Sequence, residues 1–88
     1  MKVKFEATFA KDLRAIRDRK ILNKIKEVIE VCQSTSTLTD IPHLKKMQGY
    51  DHYYRLRLAD YRIGIERIGD TLVFTRCLHR KDIYKYFP

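Results

Sequence analysis

Arginines recur at alternate positions in the second half of this chain. Arg55 and Arg57 interleave with Tyr54, Leu56 and Leu58, and Arg62 follows the short connection Ala59-Asp60. Side chains two apart along an extended strand share a face. Tyr54, Leu56 and Leu58 therefore point one way, and Arg55 and Arg57 the other. The next run, residues 61–68, alternates again, with Tyr61, Ile63 and Ile65 opposite Arg62, Gly64 and Glu66. A tight hairpin brings Arg62 close to the first pair. Like charges crowded on one sheet surface repel and cost stability. Acidic neighbours such as Asp60 and Glu66 could relieve them, but an anionic partner is the favoured reading. The closing run Leu78-His79-Arg80-Lys81-Asp82-Ile83-Tyr84-Lys85-Tyr86-Phe87 adds a histidine, basic residues and flat rings. Guanidinium groups for phosphate and rings for stacking are what single-stranded RNA recognition requires. Taken singly, Tyr84, Tyr86 and Phe87 could each do no more than anchor the tail to the core, and Tyr50 and Tyr53 are open in the same way.

Such side chains need a sheet beneath them, and the rest of the chain supplies its cover. Residues 2–9 alternate so that Val3, Phe5, Ala7 and Phe9 share one face, as in a half-buried strand. Residues 10–18 read as a short helix with Leu13 and Ile16 three apart. A second helix, about residues 20–33, carries Ile21, Ile25, Val28, Ile29 and Cys32 as a stripe of helical period. Residues 34–42 have poor helix propensity and end in Pro42, so they form a loop. At most a single turn is expected over residues 43–49. Strands follow at residues 52–58, 61–68 and 71–79, with Gly69-Asp70 as a hairpin turn, and a charged, tyrosine-rich tail closes the chain. The expected fold is α+β, one domain over residues 1–88 in the order β-α-α-β-β-β. Its last three strands form an antiparallel meander, and the helical hairpin packs on one face of the sheet. Periodicity does not say where the first strand joins.

Charge narrows the partners. The 88 residues hold 19 Lys+Arg against 11 Asp+Glu, a formal net charge of +8. A field of that sign draws anions: nucleic acid, an acidic protein segment or an anionic membrane surface. The plainer alternative is charge kept only for solubility. Membrane binding is disfavoured because the basic helices lack a large exposed apolar face, and no apolar run is long enough to span a bilayer. Met1-Lys2-Val3-Lys4-Phe5-Glu6 puts charge where a signal peptide needs an apolar run, so a cytoplasmic protein is expected. Cys32 and Cys77 have no metal-site spacing and are expected to be reduced and buried. No cofactor and no metal is expected.

With Lys11-Asp12-Leu13 opening the first helix, this order of elements resembles the RelE/ParE superfamily of toxin–antitoxin toxins. More specific are the run Tyr54-Arg55-Leu56-Arg57-Leu58-Ala59-Asp60-Tyr61-Arg62-Ile63 and the closing His79-Arg80-Lys81-Asp82-Ile83-Tyr84. The resemblance covers essentially the whole chain. It implies either messenger RNA cleavage, usually in the ribosomal A site, as in the RelE branch, or gyrase inhibition on the same fold, as in the ParE branch. Carried over by position, the RelE-like active set falls on Arg55 and Arg57, Arg62, and the terminal pair Arg80 and Tyr84. The spacing between strands is shorter than in some relatives, and Arg80 stands differently relative to Tyr84. Arg55, Lys81 and Lys85 are the expected RNA contacts. The implied partners are a small acidic antitoxin, messenger RNA and the ribosome, with the toxin as a monomer inside a hetero-oligomer.

Cleavage without a metal would use the RNA 2′-hydroxyl against the adjacent phosphate, since no carboxylate cluster of the two-metal type is visible. Arg57, Arg62 and Arg80 suit stabilisation of the charge that develops on phosphate. Arginine is a poor base because its guanidinium is not deprotonated in proteins. The base must then be His79, His52, Tyr84, a ribosomal group or nothing. His79 stands beside the tail motif, and an imidazole is suited to proton transfer; a histidine merely hydrogen-bonded at a strand end is the even alternative. The RelE-like nuclease is preferred over a ParE-like gyrase inhibitor, and both over a degenerate toxin that only binds its antitoxin.

Overall fold

The chain opens with β1 (Lys2–Phe5), α1 (Ala7–Arg14) and α2 (Arg19–Ser34). It continues through β2 (Leu44–Lys46), β3 (Tyr53–Leu58), β4 (Tyr61–Ile68), β5 (Thr71–His79) and the one-turn helix α3 (Ile83–Tyr86). The computed structural model describes residues 1–88. All strands join one sheet in the order β1-β5-β4-β3-β2. β3, β4 and β5 form the expected antiparallel meander. β1 lies parallel to β5, with Val3 opposite Leu72 and Phe5 opposite Phe74.

Three local expectations are corrected. β1 stops at Phe5, and α1 begins at Ala7 rather than near residue 10. Alternation alone runs on to residue 9 because Phe9 is buried on either backbone; here it is a helical residue, 1% exposed. The Glu6 amide still donates to Phe74 O, but Thr8 Oγ1 then donates to Thr75 O at 2.7 Å. Past that point Asp12 takes over the edge of β5, its carboxylate accepting the Cys77 amide at 2.9 Å and Arg76 Nε at 2.8 Å. Asp18 does not end α1; it caps α2, its Oδ1 accepting from the Lys20 amide, which satisfies an otherwise orphaned donor. Finally, residues 43–49 contain a fifth strand: Leu44, Lys45 and Lys46 pair with Leu56, Arg55 and Tyr54. Three residues, two of them lysines, carry almost no periodic signal. Short lysine-bearing strands are a common way to protect a sheet edge.

The helical hairpin covers one face. Phe9, Ile25 and Cys32 from the helices and Ile16 from the link between them meet Leu56, Ile63, Ile65 and Phe74 from the sheet in the main core. Both cysteines are free and buried. Burial pushes the Cys32 thiol up to about 11. The Cys77 thiol goes up to about 12 by burial, with the Asp12 carboxylate adding to it. A second, smaller cluster of Met47, Ile83 and Phe87 lies against Tyr53 and Leu78. These come from the outward positions of the sheet and from the tail, so α3 is clamped onto the face the long helices leave open.

Candidate nucleic-acid interface

Register decides which outward side chains meet. Arg57 pairs directly with Arg62, and Arg55 with Gly64. Gly64 has no side chain, and the Phe87 ring uses that space: a Cβ built there would lie 2.6 Å from two ring carbons. Phe87 and Ile83, 4% and 0% exposed, then fix α3 to the sheet. Tyr84 is thereby set with Arg55 Cζ 6.0 Å from its ring centroid. Arg62 is oriented at the β3–β4 turn, its Nη1 donating to Ala59 O and Tyr61 O, both at 2.8 Å. Ala59 takes a positive φ of 52° in that two-residue connection. The same turn holds the start of the tail, because the Arg80 amide donates to Asp60 O at 2.7 Å.

The electrostatics agree with this convergence. Arg62 is shifted below the usual guanidinium range, first by burial and then by Arg55, Arg57 and Arg80, with Tyr84 acting in the opposite sense. Neither Asp60 nor Glu66 forms an ion pair with these arginines; the ion pairs are Arg76 with Asp12 and, weakly at 4.0 Å, Lys85 with Asp82. Arg55, Arg57 and Arg80 are thus near enough for Arg62 to feel their charge, and none of the four is paired with a carboxylate. Such a cluster can grip a phosphate with forked donors and stabilise charge that builds on it.

Residues 3–84 match the ParE toxin family of type II toxin–antitoxin systems. This chain belongs to that family. Toxin RelE3 of Methanocaldococcus jannaschii is 52% identical over 89 aligned residues, which cover 100% of both chains. By that full-length likeness the toxin is of RelE type. Its fold matches the crystal structure of the RelB-RelE antitoxin-toxin complex from Methanococcus jannaschii at a TM-score of 0.83 and 48% identity, over 97% of this chain and 99% of that one. YafQ from E. coli strain BL21(DE3) shares the fold alone, with a TM-score of 0.74 at 17% identity over 94% and 97% of the two chains.

Not every residue singled out from the sequence of the toxin reaches the arginine face. Arg55, Arg57, Arg62, Arg80 and Tyr84 do. His79 does not: it pairs with Tyr61, its ring edge-on to that tyrosine at 6.0 Å, and it is two residues from buried Cys77. It therefore lies on the helix side of the sheet, where its Nδ1 accepts the Lys81 amide at 3.2 Å. His52 sits in the β2–β3 loop and gives its carbonyl to the Arg67 amide, at the far end of the hairpin from Arg62. Lys81 is exposed in the turn before α3, and Lys85 leans on Asp82.

One histidine escaped the sequence reading. His43 Nδ1 lies 3.3 Å from Arg57 Nη2, and its carbonyl accepts the Arg57 amide at 3.1 Å. Guanidinium only donates, so Nδ1 is the acceptor and the proton is on Nε2. His43 holds this place with a φ of 65°, a conformation that costs a non-glycine residue and is found where the surroundings over-determine it. The only signal available beforehand was its position after Pro42, because β2 brings it to Arg57. A further concavity of about 460 Å³ opens beside it between α2 and β3, lined by Val28, Val31, Leu56 and Leu58. No helix is long and apolar enough to cross a membrane.

Proposed function

We propose that this toxin is a metal-independent endoribonuclease that cleaves messenger RNA, on the ribosome and in the cytoplasm, and so stops translation. The observation that carries the proposal is the convergence of Arg55, Arg57, Arg62 and Arg80 beside Tyr84 with no carboxylate among them. In the reaction, the 2′ oxygen attacks the adjacent phosphorus and the bond to the 5′ oxygen breaks, leaving a 2′,3′-cyclic phosphate and a free 5′-hydroxyl. Arg57, Arg62 and Arg80 hold the non-bridging oxygens as their charge grows. Tyr84, 59% exposed at the edge of the cluster, supplies the proton to the departing oxygen. The 2′ proton passes to water, since the one acceptor nitrogen of His43, Nδ1, is taken by Arg57. His79 is unsuited to either transfer because it faces the helices.

A relative that is 48% identical was crystallised as an antitoxin–toxin complex with RelB. We infer that this toxin too is held as a single copy inside a hetero-oligomer by an acidic antitoxin, whose charge complements a chain of net charge +8.

Induction followed by primer extension tests the nuclease reading. Cuts phased to codons should appear with the unaltered toxin and vanish with Arg62→Ala and with Tyr84→Phe. Intact messages together with blocked supercoiling by gyrase would overturn the nuclease and leave the ParE-like activity in its place.

A further inference from the structure

Beside the arginine face lies a concavity of about 520 Å³, lined by Met47, Gln48, Tyr50, Arg55, Tyr84 and Phe87 among others. Cavities of about 300–1,000 Å³ hold small-molecule-sized groups, so this one suits a single nucleotide rather than a helix or a folded loop. Two of its rings are unusually open, Tyr50 at 46% and Tyr84 at 59% exposed. Neither is loose. Tyr50 packs edge-on against Tyr53, centroids 5.5 Å apart and planes at 80°, and Tyr53 meets Phe87 in the same way at 5.6 Å and 88°. The Tyr50 amide closes a turn onto Met47 O at 3.2 Å, with Gly49 at a φ of 86° that suits the third position of a type II turn. Tyr84 is held from below by the Ile83 and Phe87 anchors and beside Arg55. An outward ring braced by other rings and left uncovered is a stacking platform.

We propose that this concavity is a nucleobase subsite. It takes one unstacked base of the RNA strand whose phosphate lies on Arg57 and Arg62, and so it rests on the nuclease reading. Tyr50 supplies the face on which the base stacks, and Gln48, with both a donor and an acceptor on its amide, reads the base edge. Arg55 lines the concavity and also belongs to the arginine cluster, which makes the captured base a close neighbour of the gripped phosphate. Base–aromatic stacking tolerates any base, whereas an amide discriminates among edges. The subsite would therefore give affinity through Tyr50 and preference through Gln48. The walls also include the cation Lys46, which an acidic peptide would favour equally, but the two open rings, Tyr50 and Tyr84, match a flat base better than a peptide carboxylate.

The test is binding of a short single-stranded RNA, blocked by a 2′-deoxy sugar at the cut position. The toxin is used as its full chain, with the RNA both free and in the A site of programmed ribosomes. Abasic sugars are placed one position at a time. One abasic position should weaken binding about tenfold for the unaltered toxin and for Tyr50→Phe, which keeps the ring. The same abasic RNA should cost Tyr50→Ala nothing further, and Gln48→Ala should flatten the preference among bases at that position. Binding that depends on Arg62 yet shows no coupling between any base and Tyr50 would overturn the subsite and leave the nuclease standing. Loss of affinity for an acidic antitoxin peptide in Tyr50→Ala, with RNA binding intact, would give the concavity to the peptide instead. RNA binding in neither setting would overturn both.

Discussion

Arg62 and His43 are single residues held in costly arrangements. Arg62 commits Nη1 to two carbonyls of its own turn, which leaves Nε and Nη2 for a ligand, while it feels three like charges, an arrangement that favours an anion over the empty state. His43 adopts a left-handed backbone and in return touches Arg57 twice. Glycine would relieve that backbone, at the expense of unfolded-chain entropy. His43→Gly should therefore shift stability by less than about 1 kcal/mol, read by thermal melting. RNA cleavage should still fall several-fold, because Arg57 loses the partner that aims it. The buried thiols make a prediction of their own. Folding raises the Cys77 thiol from 9.0 to about 12 and the Cys32 thiol from 9.0 to about 11. A raised value means that the folded state keeps the proton that the unfolded state gives up. The associated stability is whole below pH 9 and is lost as pH climbs through the window toward 11 and 12. Urea titrations at pH 8, 9.5 and 10.5 should show this fall, with a shallower slope for Cys77→Ala.

At the scale of elements, α3 is placed by contact rather than by helix strength. Four residues make too short a helix to persist alone, so Ile83 and Phe87 determine where Tyr84 sits. The key to that docking is the missing side chain at Gly64. A methyl group there would meet the Phe87 ring at 2.6 Å, and the neighbour is a ring already packed against Tyr53, so it has little room to yield. Gly64→Ala should cost about 1–3 kcal/mol by overpacking and release residues 83–88. Amide hydrogen exchange should rise over that segment while β3–β5 stay protected, and cleavage should drop as strongly as in Tyr84→Phe. Adding Phe87→Ala to Gly64→Ala should cost little further stability, because the ring is already displaced, and should not restore activity. Asp12 shows the same economy on the opposite edge. It substitutes for the strand that β1 stops short of providing, and it ties up Arg76, whose guanidinium lies 5.6 Å from the Tyr86 ring, so that this fifth outward arginine is already satisfied.

For the whole molecule, the net charge of +8 is effective because four of its arginines share one face. A partner that neutralises them releases counterions, so its affinity falls with salt. For single-stranded nucleic acid the slope of log K against log salt is about −0.7 per phosphate contacted. Three or four contacts give a slope of roughly −2 to −3, and Arg62→Ala should reduce it by about 0.7. A loss of affinity with an unchanged slope would mean that Arg62 acts on structure and not on phosphate. The helices add lysines and arginines to the field without joining the cluster.

Composition and alternation by themselves determined a basic α+β protein, the inward stripe Tyr54, Leu56, Leu58, Ile63 and Ile65, and the outward set Arg55, Arg57 and Arg62. Period-two patterning reports face directly, whatever the strands pair with. Tertiary structure decided everything that depends on a partner in space. It placed β1 parallel to β5, it made a strand of three residues around two lysines, and it ended β1 at Phe5 because Thr8 and Asp12 satisfy β5 from there on. It turned His79 toward the helices, since His79 shares the parity of Cys77, which the extra residue Thr75 at the bulge between Gly64 and Ile65 shifts relative to Phe74, and it brought His43 to Arg57 through the edge strand. Those outcomes rest on hydrogen-bond register and on a tail packed into the space of an absent side chain, and neither leaves a period in the sequence to read.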